Sequence, residues 1–97
     1  MNSQVFVLLT IVTEAVLESS ISEDVMRFGV RGYTVIDARG RGSHGVRSGA
    51  WGQGNNVRIE VIGNEEMINN IITHLRDSYD QNYGLLMFTG PVEIHSR

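Results

Sequence analysis

The stretch from Gly32 to Gly54, GYTVIDARGRGSHGVRSGAWGQG, limits what this chain can build more than any other segment. It carries seven of the 11 glycines, three of the eight arginines and the single tryptophan. It is too long and too rich in glycine for a tight hairpin, and it lacks the apolar period of a helix. In a chain of 97 residues, a structureless insertion of this size is either functional or disordered. Its chemistry favours function. Glycines let backbone N–H groups close in on an anion, and Arg39, Arg41 and Arg47 bring positive charge to a protein whose formal net charge is −3. The stretch reads as a mobile anion-binding loop suited to a nucleotide phosphate.

The rest of the composition narrows the field. With 41% hydrophobic residues, the chain can fill one small core, so residues 1–97 read as a single domain to which oligomerisation would add burial. There is no cysteine, which excludes disulfides, thiolate metal sites and cysteine nucleophiles. Every basic residue is arginine, so a Schiff-base or phosphate-clamping lysine is ruled out, whereas arginine's planar fork suits phosphate and carboxylate. The apolar run Val5–Val12 is too short to span a bilayer and follows no basic region, which makes cytoplasm the expected location. A net negative charge also argues against a general nucleic-acid binder.

Flanking the loop, the chain alternates strand and helix signals. Gln4–Val12 (QVFVLLTIV) is nearly continuous in apolarity and reads as a central strand buried on both faces. Thr13 offers an N-cap oxygen, and Leu17, Ile21, Val25 and Phe28 recur at helical spacing up to Gly29, which gives a helix over about residues 14–28. Tyr33–Ala38 and Asn56–Ile62 read as strands. In the second, Val57, Ile59 and Val61 alternate with Arg58 and Glu60. Asn64 caps a second helix whose buried face is Ile68, Ile71, Ile72, Leu75 and Tyr79. Leu85–Ile94 closes the chain as a strand, with Gly90-Pro91 marking a bulge or a sheet edge. The order βαββαβ predicts an α+β, ferredoxin-like fold: a four-stranded antiparallel sheet with two helices on one face. The long loop then joins strands two and three.

Within the loop, Gly40, Gly42 and Gly45 free the backbone, Ser43 adds a hydroxyl, and Arg41, His44 and Arg47 can reach negative oxygens. Neither a Walker pattern, which needs lysine, nor a dinucleotide fingerprint, which needs a following helix, is satisfied. His44, His74 and His95 share no ligand spacing, so no metal site is expected. Trp51, at the tip of the loop, is poorly explained by core packing and reads as an anchor for a partner protein. On the third strand, Arg58 is a further anion candidate.

GYTVIDARGRGSHGVR resembles the junction of strand two and T-loop in the PII signalling superfamily, with its Gly-aromatic-Thr-Val strand and Gly-x-Gly turn. It is most similar to the PII-like proteins of bicarbonate uptake and carboxysome operons, the SbtB and carboxysome-associated types. NVRIEVI resembles the third strand, and YGLLMFTGPVE the glycine turn, fourth strand and Pro-Val-Glu of PII proteins. The resemblance implies a single PII-like domain with a T-loop at about 39–55. It implies a homotrimer that binds an adenine nucleotide (AMP, ADP, ATP or cyclic AMP) between subunits. By matching positions, Thr34 falls at base recognition, Gly40, Gly42, Ser43 and Arg47 on the phosphate-side loop, and Gly84 in a turn contributed across the cleft. His44 and Arg58 complete the nucleotide set, and Arg41, Ser43, Arg47 and Arg58 are the candidates for a bicarbonate anion. The implied partner is a membrane bicarbonate transporter or a carboxysome-related protein, met through the T-loop. Three departures stand out. The T-loop has no tyrosine, Leu85 follows Gly84 where the family has lysine, and only Arg97 remains of a C-terminal arginine pair. These weaken the expectation of triphosphate binding.

No nucleophile is paired with a base, so catalysis is not expected, and the sheet strands lack the aromatic platform of an RNA-recognition module. A trimeric metal-responsive protein of copper-tolerance type and a nitrogen-regulatory PII-type sensor are the alternatives on the same topology.

Overall fold

The computed structural model describes residues 5–40, 56–79 and 84–96. Strand β1 (Phe6–Glu14) leads through one 3-10 turn (Ala15–Leu17) into helix α1 (Glu18–Met26). Strands β2 (Tyr33–Ala38) and β3 (Asn56–Gly63), helix α2 (Glu65–Tyr79) and strand β4 (Leu85–Val92) follow. The strands form one antiparallel sheet in the order β2-β3-β1-β4. This is the α+β architecture expected of the βαββαβ pattern. Of the expected loop at 39–55, only Arg39 and Gly40 are among the described residues.

Side chains alternate across each strand, so one face of the sheet carries Leu9 and Ile11 of β1 with Val57, Ile59 and Val61 of β3. Helix α1 brings Ile21 and Val25 to this face, and α2 brings Ile68, Ile71 and Leu75, making one continuous core with Leu17 and Val30. Each such side chain contributes roughly 1.5–3 kcal/mol when fully buried. Both helices begin and end where local chemistry allows. Asn64 accepts a hydrogen bond at Oδ1 from the Met67 amide (2.8 Å), a side-chain cap on α2. Gly29, at φ +91°, takes the left-handed conformation that ends α1.

The first helix starts later than its sequence suggests. Thr13 is in β1, paired with Val57 and Leu85, and its side chain is fully buried on the core face. Its hydroxyl donates to the Gly84 carbonyl at 2.8 Å and does not cap α1. A β-branched residue fits the pleat well, and the long-range bond outcompetes the cap. Pro91 sits in β4, an edge strand whose pairing with β1 continues through it without an extra residue. The Gly90-Pro91 pair therefore marks an edge, where a missing N–H costs nothing in the ladder.

The two helices are clasped by Asp24, a carboxylate only 8% exposed. Its Oδ2 accepts from Tyr79 Oη at 2.8 Å and from His74 Nε2 at 3.0 Å, and its Oδ1 lies 3.0 Å from Arg27 Nη2. The Phe28 ring packs 5.5 Å from the His74 ring. Burial raises the Asp24 pKa, but hydrogen bonds from His74 and Tyr79 and the charges of His74 and Arg27 outweigh it and hold it below the ordinary carboxylate value. Burial and the hydrogen bond to Asp24 push the Tyr79 phenol up.

A carboxylate with a depressed folded-state pKa stabilises the fold above its unfolded value and loses that contribution as pH falls through the folded one. Asp24→Asn should therefore cost about 1–3 kcal/mol at neutral pH, measured by urea unfolding. The gap to wild type should hold constant from about pH 7 to 5 and shrink below about pH 4.

Candidate functional site

The helices cover one face of the sheet, and the opposite face is open. It carries Leu8, Thr10, Val12 and Glu14 from β1, Asn56, Arg58, Glu60 and Ile62 from β3, Thr34 and Ile36 from β2, and Leu86 and Phe88 from β4. Much of it is apolar. Leu86 is 52% and Phe88 53% exposed, with Ile36 and Ile62 also exposed. The polar residues of this face concentrate along β3. Arg58 Nε lies 3.4 Å from Glu60 Oε2, an ion pair along one strand.

The expected site residues that fall among those described are Thr34, Gly40, Arg58 and Gly84. Thr34 pairs with Glu60 and is exposed, and Arg58 sits one row away opposite Ile36, so Thr34 and Arg58 share a diagonal on the open face. Gly40 lies just beyond β2, at the end of the sheet where Ala38 meets Asn56 and Asn56 meets Glu14. Gly84 precedes β4 at that same end, half-buried and held by Thr13. With strands ~4.8 Å apart, β2 and β4 are separated by three spacings, ~14 Å. Thr34 and Gly84 thus lie on opposite borders of one sheet. Arg41, Gly42, Ser43, His44, Arg47 and Trp51 lie outside the described residues.

Two polar features escaped the sequence reading. Locally Thr13 reads as a helix cap, whereas its role in holding Gly84 depends on a contact 71 positions away. Asn56 is 3% exposed at the start of β3, and neither Nδ2 nor Oδ1 of its side chain has a hydrogen-bond partner among the described residues. An asparagine at a strand end reads locally as turn chemistry, so nothing nearby signalled it. Of the histidines, His74 serves Asp24 and His95 lies 3.4 Å from Glu93.

The family model of nitrogen regulatory protein P-II matches residues 6–96. Among solved structures, a PII-like signalling protein of Thermus thermophilus is 38% identical, with 97% of this chain and 93% of that chain covered and a TM-score of 0.80. The PII-like protein CPII of Thiomonas intermedia, in a structure bound to ADP, AMP and bicarbonate, is 19% identical. That comparison covers 98% of this chain and 100% of that one, with a TM-score of 0.82. A second CPII structure, bound to ADP, AMP and acetate, is 18% identical over 99% of this chain and 94% of that one, with a TM-score of 0.80.

The Thr13–Gly84 bond gives a direct test of how the start of β4 is held. Thr13→Val keeps the shape and removes the donor. It should lower stability by roughly 1–2 kcal/mol, read as a lower urea midpoint with an unchanged slope.

Proposed function

The chain belongs to the family of nitrogen regulatory protein P-II, and we propose that it is a non-enzymatic, trimeric sensor of adenine nucleotides. The observation that carries this reading is the open sheet face. A monomer rarely leaves a large apolar patch in water, and β1 is apolar on both sides while only one is covered. A second and third copy packed on Leu8, Val12, Ile62, Leu86 and Phe88 would cover it. The border positions of Thr34 and Gly84 fit the same arrangement. A cleft formed where β2 of one subunit approaches the start of β4 of the next would gather residues from strands that a single sheet keeps ~14 Å apart.

In that cleft, Thr34 would meet the base, and the loop bearing Gly40, Gly42, Ser43, His44 and Arg47 would hold the phosphates beside Arg58. The ADP, AMP and bicarbonate in the CPII structures support an adenine nucleotide with an accompanying small anion as the ligand pair. Bound charge would alter what residues 39–55, Trp51 included, present to a partner. A transporter or carboxysome component of inorganic-carbon uptake is the partner we propose, met in the cytoplasm at a membrane or shell. Among the described residues no helix is long and apolar enough to cross a membrane.

Three measurements test this. Light scattering should give the mass of three subunits, and Phe88→Asp should shift the protein toward smaller species, because a charge on that face would be buried without a partner. Isothermal titration should detect AMP, ADP, ATP or cyclic AMP, with one site per subunit; heat-free titrations with all four would remove the nucleotide reading. Arg47→Ala should weaken nucleotide binding roughly ten- to a hundredfold through loss of a charge-assisted phosphate contact, and Arg39→Ala much less. Equal affinities in the two variants would show that Arg47 does not hold the phosphates.

A further inference from the structure

A buried hydroxyl ties the core to the start of β4. Thr13 is fully buried on the face under the helices, and its Oγ1 donates to the Gly84 carbonyl at 2.8 Å. A hydroxyl buried without a partner is costly, so this bond fixes the carbonyl in its direction toward β1. The peptide that carries the carbonyl is trans, and in a planar trans peptide the C=O and the following N–H point opposite ways. The Leu85 N–H is therefore turned away from β1. Since β4 is a border strand, that direction runs off the free edge of the sheet, where an N–H is open to a group from outside the subunit.

This amide suits an anion held by the next subunit. The Leu85 side chain is half-buried against the core, so at the edge the residue presents its backbone. The chain has no lysine, so no ammonium can supply a donor there. Leu85 pairs with Thr13, Thr13 with Val57, and Val57 with Asp37, which places it at the end of the sheet where β2 runs into Gly40. In the assembly proposed above, β2 of one subunit approaches the start of β4 of the next. Phosphates held by the loop after β2 would then lie beside the Leu85 N–H, while the base is met deeper along β2, at Thr34. We infer that Thr13 is a positioning residue of the nucleotide cleft: from the buried side of the sheet it aims the Leu85 N–H at phosphate oxygens bound by the neighbouring subunit. Thr13 itself never meets the ligand and acts through the Gly84–Leu85 peptide. This rests on the trimeric nucleotide-binding reading above and adds the residue that sets one of its phosphate donors.

The test titrates ADP into the full chain by calorimetry, at a temperature where each variant is folded and has the same assembled mass as wild type. Thr13→Val removes the donor and should bind ADP about tenfold more weakly, the scale of one phosphate hydrogen bond lost. Thr13→Ser keeps the hydroxyl and loses a buried methyl, so its urea midpoint should fall, yet its ADP affinity should stay within about threefold of wild type. That split separates the aim of the amide from the stability of the fold. Wild-type affinity in Thr13→Val would overturn the inference, and so would Thr13→Ser losing as much as Thr13→Val; both results leave the nucleotide reading intact. Should Thr13→Val fail to assemble, the wild type alone decides: saturating ADP should slow hydrogen exchange at the Leu85 amide at least about tenfold, and an unchanged rate would overturn the inference. Wild type without ADP binding would overturn it as well, and silence with AMP, ATP and cyclic AMP too would remove the nucleotide reading itself.

Discussion

Everything in this fold hangs on β1 being apolar on both faces. Its core-facing residues Leu9, Ile11 and Thr13 are fully buried under the two helices. Its other side holds Leu8 and Val12 half-buried and Thr10 buried between Glu60 and Phe88. Two helices can cover only one face of a four-stranded sheet. The chain therefore satisfies half of the hydrophobic demand of β1 internally and leaves the other half for an external surface. That leftover face, and not the core, connects the fold to the proposed assembly.

The positions of the proposed site residues follow from the same sheet. Strand order β2-β3-β1-β4 puts β2 and β4 on opposite borders, with the end of β2, the start of β3 and the start of β4 at one end of the sheet. Thr34 and Arg58 are diagonal neighbours only because β2 and β3 pair in the register that sets Thr34 against Glu60. Gly84 is held by Thr13 across the β1–β4 pair. On the covered side, Asp24 joins α1 to the C-terminal half of α2 through His74 and Tyr79. A buried carboxylate with three donors is costly to disturb, which fixes α2 against α1.

Local physics made much of the fold legible. The alternation of Val57, Ile59 and Val61 with Arg58 and Glu60 assigned β3 and both its faces, because strand side chains repeat every second residue. The spacing of Ile68, Ile71 and Leu75, with Asn64 before them, defined α2 and its capped start, because those features act within one or two helical turns. Gly29 marked the stop of α1, because a left-handed conformation strongly favours glycine.

What the sequence by itself determined is thus element identity and the assignment of helix and strand faces. Only the tertiary structure decided that Thr13 belongs to the strand and holds Gly84, that Asp24 clasps two helices, and that Asn56 is buried with no partner for its amide among the described residues. Each of these depends on groups brought together across the sheet or between helices. A hydroxyl, carboxylate or amide carries no periodic signature of its distant partner: its value is set by desolvation and by what the folded chain places within hydrogen-bond reach.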